Sequence, residues 1–272
     1  MDKDVRPISE LLDSGAEYHV TAVQYSRRTT STDESYFRDK LYGEPTQSIE
    51  MPFFFWLIQG SLGTFLFDTG FSPASASKRS LAYLIEPIDA LHSLGVSPEQ
   101  VDAVFLSHLH FDHTGHVNRF PNARIYVDSL EYEFWVHGYG RKEVFAALAG
   151  ADDLVALQDM TKSGRVTLLD GTSAVAPGLV SVRVGGHTPG QHILSVNTPG
   201  GPVVLASDAL HFYDEMNRDR PFVLFTDVED MFRGYELLRA FDDVGAKVVA
   251  GHDMDVTARF GNSSDAQFTT SI

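Results

Sequence analysis

The chain has 272 residues, 43% of them hydrophobic, with 21 Lys and Arg against 37 Asp and Glu, a formal net charge of −16. That apolar content suffices for one sizeable core, and the negative balance argues against a nucleic-acid partner, which needs a cationic face. No cysteine is present, which excludes disulfides, thiolate metal ligation and a cysteine nucleophile. No run approaches membrane-spanning length and the opening residues 1–6 lack an apolar signal region, so a cytoplasmic protein with no membrane partner is expected.

In chain order, residues 1–17 are polar and read as a lead-in, and Tyr18–Tyr25 alternates and carries β-formers, so it predicts a strand. Residues 26–50 are rich in Ser, Thr, Arg and Glu without a clear period. They are either a substrate flap or an ordinary surface excursion. Met51–Ile58 is strongly apolar. Gly60-Ser61-Leu62-Gly63 reads as a hairpin turn, and Thr64–Phe67 returns to Asp68-Thr69-Gly70. A carboxylate at that strand end either orients a metal-bound histidine or closes an Asx turn. Residues 76–95 read as helical with a break at Pro87, and Ser97-Pro98-Glu99-Gln100 is a helix-start signature.

Val101–Leu106 is a short buried strand, and at its end comes Ser107-His108-Leu109-His110-Phe111-Asp112-His113-Thr114-Gly115-His116. Two residues apart on extended backbone, His108 and His110 can point the same way. Asp112 and His113 follow in a loop. Three imidazoles and one carboxylate within six residues form a nitrogen and oxygen ligand set suited to zinc or a similar first-row cation. His116 either supports the ligands from behind or, in preference, caps the next turn, and His19, His92, His137 and His192 are assigned structural or surface roles.

Arg124–Val127 is the next strand. Residues 128–160 are mostly helical, with Tyr132, Phe134 and Trp135 as core. Four short strands then follow at Arg165–Leu169, Leu179–Val184, His192–Val196 and Pro202–Ala206. Thr226–Glu229 reads as a capping box, and the helix after it sets Val228, Met231, Phe232, Tyr235, Leu238 and Phe241 on one apolar stripe. Lys247–Ala250 is a last strand. This order fits two sheets packed face to face with helices outside, not a doubly wound sheet, and no linker divides residues 1–272.

Three more polar residues repeat the pattern of the histidine loop. His187 sits in a Gly/Pro-rich turn, Asp208 follows the strand ending at Ala206, and His252 follows the strand ending at Ala250. Five histidines and two aspartates can thus gather at one edge of the sheets.

With these motifs the chain resembles the metallo-β-lactamase superfamily over roughly residues 50–255. The resemblance implies an α/β, four-layer αβ/βα sandwich of two mixed β-sheets with helices outside. It implies two divalent metal ions, zinc foremost, with His108, His110 and His187 holding one and Asp112, His113 and His252 the other. Asp208 would bridge them, and Asp68 would support them from behind. Within the superfamily, the missing cysteine sets the chain apart from zinc β-lactamases with a thiolate ligand. His110 replaces the Glu of flavodiiron proteins, and only twenty residues follow His252, too few for the helical domain of glyoxalase II. Acidity disfavours the RNA-processing members.

What remains is similar to the N-acyl-homoserine lactonases and 4-pyridoxolactonase, whose closing motif Gly251-His252-Asp253-Met254 resembles. Those lactonases place a Tyr three residues after the bridging Asp. Here that position is His211, with Tyr213 two further on. The resemblance therefore implies opening of a small-molecule lactone by a metal-bridging hydroxide to give a hydroxy acid. Asp112 would carry a proton to the leaving alkoxide, and His211 or Tyr213 would donate to the oxyanion. The competing readings are hydrolysis of another ester, an amide or a phosphodiester, and a non-catalytic metal-stabilised binding protein. Residues 26–50 and 209–225 are expected to wall the pocket. Oligomeric state is open, a homodimer among the options.

Overall fold

The computed structural model describes residues 8–13, 15–261 and 268–272; residues 1–7 and 14 of the lead-in lie outside them. The strands run β1 Tyr18–Ser31, β2 Ser48–Gly60, β3 Gly63–Phe67, β4 Ala103–Phe105, β5 Arg124–Asp128, β6 Val166–Leu169, β7 Ser173–Ala176, β8 Leu179–Arg183, β9 His192–Val196, β10 Val203–Ser207, β11 Lys247–Ala250 and β12 Thr269–Ser271. Seven form one sheet in the order β12-β1-β2-β3-β4-β5-β6, and five form a second in the order β11-β10-β9-β8-β7. Each mixes directions. The contacts β3–β4, β4–β5 and β5–β6 are parallel, as is β10–β11, and the rest are antiparallel.

The unbroken apolar run in β2 follows from burial on both faces of its sheet. Successive side chains on a strand point opposite ways, so Phe54, Trp56 and Ile58 join the core shared with the second sheet. Phe53, Phe55 and Leu57 join the core beneath the helices Pro87–Ser93 and Ala151–Lys162, with Leu91 and Leu157. The shared core also takes Leu194 and Val204 from the second sheet and Tyr235, Leu238 and Phe241 from the helix Val228–Asp243. The expected face-to-face sheets with outer helices are what the structure has. A buried polar knot also ties the two sheets together. Asp128 at the end of β5 lies 2.8 Å from His192 Nε2, and His192 Nδ1 lies 2.6 Å from Ser181 Oγ. All three residues are buried, and this Ser-His-Asp grouping fastens the two sheets together. Among the described residues, no helix is long and apolar enough to cross a membrane.

Several elements differ from the sequence reading. The segment 26–50 is not irregular throughout. β1 continues to Ser31 and pairs residue by residue with β2 from Ser26↔Phe53 to Ser31↔Ser48. A bulge between Gln24 and Ser26 resets the alternation, so the polar half of the strand does not continue the period of the apolar half. Only the tip, with short turns at Thr32–Ser35 and Asp39–Tyr42, leaves the ladder. The strand β7 was not anticipated; its four residues are partly buried or exposed and carry no run of large apolar side chains. The cap of the last long helix is Asp227 rather than Thr226. The Asp227 carboxylate accepts from the backbone N–H of Glu229 and Asp230 at 2.8 and 3.2 Å.

Candidate metal centre

The C-terminal ends of β3, β4, β10 and β11 open on the same edge, and the polar residues beyond them converge. His108, His110, His187 and Asp208 offer ligand atoms within 4.8 Å of one another, as do Asp112, His113 and His252. Every one of these residues is buried. Asp208 faces both groups. Its Oδ1 lies 3.0 Å from His252 Nε2 and 3.2 Å from His113 Nε2, while its Oδ2 lies 3.3 Å from His187 Nε2 and 3.7 Å from His108 Nε2. Asp112 Oδ2 stands 3.7 Å from His113 Nε2 and 4.0 Å from His252 Nε2.

The surroundings fix each ring. His187 Nδ1 lies 2.8 Å from the Leu224 carbonyl, His252 Nδ1 2.7 Å from the Pro52 carbonyl, and His113 Nδ1 2.8 Å from Asp68 Oδ2. An acceptor at Nδ1 holds the proton there and turns a bare Nε2 inward. Asp68 is the hub of this arrangement. It is fully buried and accepts from Ser107 N–H at 2.8 Å, Ser107 Oγ at 2.8 Å and Ser207 Oγ at 3.0 Å, besides His113. Both Asp68 and Ser207 have left-handed backbone, φ 64° and 46°, where their strands end, and strain of this kind concentrates at functional sites. Gly115 lets the histidine loop close on the segment after β3, since a Cβ there would stand 2.0 Å from Ser72 N.

Burial and the neighbouring carboxylates pull the imidazoles in opposite directions. Burial pushes the imidazoles of His108 and His110 well below their ordinary range and that of His187 down to about 3, so all three keep a lone pair at neutral pH. At His113 burial also pulls downward, but the carboxylates of Asp208, Asp68 and Asp112 outweigh it and hold the ring well above its usual value. Burial alone would raise Asp208; the surrounding His211, His252 and His113 hold it well below the carboxylate range instead. His108 Nε2 and His113 Nε2 are buried without any hydrogen-bond partner. His187 Nε2 accepts from His110 Nδ1–H at 2.9 Å, because the Leu224 carbonyl holds the His187 proton on Nδ1. The unpartnered, neutral His108 Nε2 is a buried lone pair that a cation would satisfy. Nitrogen and oxygen donors in this number fit two divalent ions, and nothing in the set selects zinc over its neighbours.

His211 and Tyr213, the two candidate donors, part company. His211 Nε2 lies 3.0 Å from Asp208 Oδ2 and Nδ1 lies 3.3 Å from Glu215 Oε1, neither aligned as a hydrogen bond. Its ring stacks on Phe222 at 3.7 Å and lines the pocket. Burial would depress it, yet Asp208 and Glu215 push its pKa up to about 9. Tyr213, by contrast, does not line the pocket; its hydroxyl donates to the Val248 carbonyl at 3.0 Å and its ring lies under Arg259. The expectation that it turns into the site is therefore not met, because its hydroxyl is already engaged. His116 stands at the head of the turn Val117–Arg119, but its side chain makes no cap; Nε2 lies 2.5 Å from Glu86 Oε1.

The pocket above the centre has a volume of about 360 Å³. Its walls include Arg28 from the first expected segment and Phe222 and Leu224 from the second, but also Arg79, Phe111 and Leu148. One residue of the site's framework escaped the sequence reading. Glu131, fully buried, accepts from Leu109 N–H at 2.9 Å, Gly190 N–H at 2.9 Å and Trp135 Nε1–H at 2.6 Å. It thereby clamps the loop of His108 and His110 to the loop of His187. Burial lifts its carboxyl to about 7. An acid in a helical segment between aromatics gives no such signal in one sequence.

A model of the metallo-beta-lactamase superfamily matches residues 54–252, spanning every one of these ligand positions. The chain belongs to that superfamily. Among curated relatives, an N-acyl homoserine lactonase AttM from Azorhizobium caulinodans is 33% identical over 184 residues, covering 62% of this chain and 64% of the relative. An N-acyl homoserine lactonase from a Bacillus species is 26% identical over 198 residues, 66% of this chain and 73% of the relative. The matched stretch thus spans just under two thirds of the AttM relative's length. A solved quorum-quenching N-acyl homoserine lactone lactonase superposes with a TM-score of 0.74 at 21% identity, covering 96% of this chain and all of the other. At that identity the likeness is one of fold: two mixed sheets with outer helices, as in other members of the superfamily.

Proposed function

We propose that the protein is a two-metal hydrolase that opens a lactone ring to a hydroxy acid. The observation that carries this reading is Asp208 reaching both ligand groups, one through each carboxylate oxygen. In this reading His108, His110 and His187 hold one cation, Asp112, His113 and His252 the other, and Asp208 bridges them. Bound there, two divalent cations would supply Lewis acidity and lower the pKa of a coordinated water from about 15.7 towards 7.

The protein's own groups do the rest. His108, His110 and His187, neutral through burial, spend no proton on competing with a cation. Asp68 accepts from His113 Nδ1–H, so Nε2 is the nitrogen that His113 would offer once a cation displaces the second proton that the surrounding carboxylates hold there. Asp112, at the pocket floor, carries a proton to the departing ring oxygen. His211, set beside Asp208 and Glu215, donates a ring N–H to the carbonyl oxygen as negative charge develops on it, and such a donor is worth roughly 3–4 kcal/mol in a dry site. Its stacking on Phe222 and contact with His187 fix the ring against the pocket. The lactonase relatives support a lactone as the scissile group. The largely apolar lining supports a small organic substrate.

Two experiments test this. A panel of lactones, open esters and phosphodiesters, followed by acid release on metal-loaded protein, should show preference for lactones; turnover of phosphodiesters alone would contradict the reading. His211→Phe should lower kcat by 10²-fold or more with metal content held. Unchanged kinetics on a good lactone would remove His211 from the chemistry.

A further inference from the structure

The pocket over the centre is lined by two arginines, Arg28 on β1 and Arg79 at the end of the helix Pro73–Arg79. Elsewhere in this acidic chain Arg183, Arg218, Arg220, Arg233 and Arg239 pair with carboxylates, while Arg124 and Arg165 donate to backbone carbonyls. Among the described residues, neither Arg28 nor Arg79 has a carboxylate within ion-pair distance. Arg79 is nevertheless held in place: its guanidinium packs 3.7 Å over the Phe111 ring and donates to the Ala147 carbonyl at 2.6 Å. That leaves the rest of a planar, partly desolvated fork without an acidic partner. Two guanidiniums with N–H donors to spare on the wall of one pocket suit an anion that enters it. The same pocket is lined by the apolar side chains of Phe53, Phe111 and Leu148 and by the candidate ligands His110, Asp112, His187 and Asp208.

We infer that the substrate carries a carboxylate besides its scissile lactone, separated from it by an apolar span, and that Arg28 and Arg79 bind that carboxylate. This rests on the lactone-opening reading for the scissile group alone. The floor of the pocket fixes the ring, the aromatic wall covers the spacer, and the two guanidiniums set the length and charge of the far end.

The test uses two probes with identical rings, N-hexanoyl-homoserine lactone and N-(5-carboxypentanoyl)-homoserine lactone, with metal-loaded protein at low ionic strength. The carboxylated probe should have kcat/KM higher on the order of tenfold, mainly through KM, and the advantage should shrink with added salt. In Arg28→Gln/Arg79→Gln the ratio should fall to near one. Arg28→Glu, an exposed change that leaves the Arg79 packing intact, should reverse the preference. Calorimetry with the two ring-opened products reads binding without turnover and should show the same order. Equal or inverted preference in the wild-type protein, or a ratio unmoved by both variants, would overturn the assignment while leaving lactone opening in place. Tighter binding of the carboxylated product with neither lactone turned over would sustain the arginine pair and refute lactone opening.

Discussion

Asp68→Asn examines whether the site depends on a fixed proton. The native carboxylate accepts from four groups, Ser107 N–H, Ser107 Oγ, Ser207 Oγ and His113 Nδ1. An amide keeps one acceptor oxygen, which serves Ser107 N–H, and puts an NH₂ where Oδ2 was. The two serine hydroxyls can rotate to accept. His113 can accept only by moving its proton to Nε2, the atom that faces Asp208 at 3.2 Å. The wrong tautomer then blocks one ligand position of the group Asp112, His113 and His252, and loss of such an orienting partner costs about 10–100-fold in metal affinity. Should His113 keep its tautomer, two donors face each other in a fully buried spot, which costs about 1–3 kcal/mol of stability. The assay is metal content by elemental analysis after equilibrium dialysis, with a thermal melt alongside. The variant should retain one tightly held ion and lose most of the second. Two ions per chain at wild-type affinity, with an unchanged melt, would refute the argument.

Three other outcomes follow from the same geometry. In metal-free protein His211 is raised from 6.5 to about 9; its stabilising contribution, on the order of 3 kcal/mol, is complete below pH 6.5 and disappears as pH climbs through 9, so urea midpoints should fall across that window and should fall less in His211→Phe. Glu131→Gln presents an NH₂ to at least one of the N–H groups of Leu109, Gly190 and Trp135 and should cost about 1–3 kcal/mol in denaturant unfolding, with weakened metal binding because the loops of His110 and His187 part; a variant as stable as the parent would show that the clamp is idle. Gly115→Ala forces the histidine loop off Ser72 and should reduce metal occupancy in the soluble protein, whereas full occupancy would mean that the loop gives way without moving its ligands.

The convergence of the candidate ligands was legible because polar residues recur at strand ends. A short apolar strand followed by a polar residue places that residue at the sheet edge whatever the rest of the fold does, and His108, Asp208 and His252 each follow one. Asp68 was half legible: a carboxylate in a tight turn has two readings, and only the four donors around it decide between them. The extension of β1 through Ser31 was hidden because a two-sided polar strand has no hydrophobic alternation to display, and the bulge after Gln24 interrupts what period there was. Glu131 and the two pocket arginines were not legible at all. Their meaning comes from Leu109 and Gly190, 22 and 59 residues away, for Glu131, and from the arginines' place on the pocket wall. Tyr213 misled for a related reason, since chain proximity to Asp208 says nothing of a hydroxyl that the Val248 carbonyl already holds.

The most direct measurement is anomalous diffraction at the absorption edge of whichever cation elemental analysis finds in the purified protein. The account predicts two peaks about 3.5–4 Å apart, one among His108, His110 and His187 and the other among Asp112, His113 and His252, both in contact with Asp208. A single peak, or two that do not share Asp208, would contradict it.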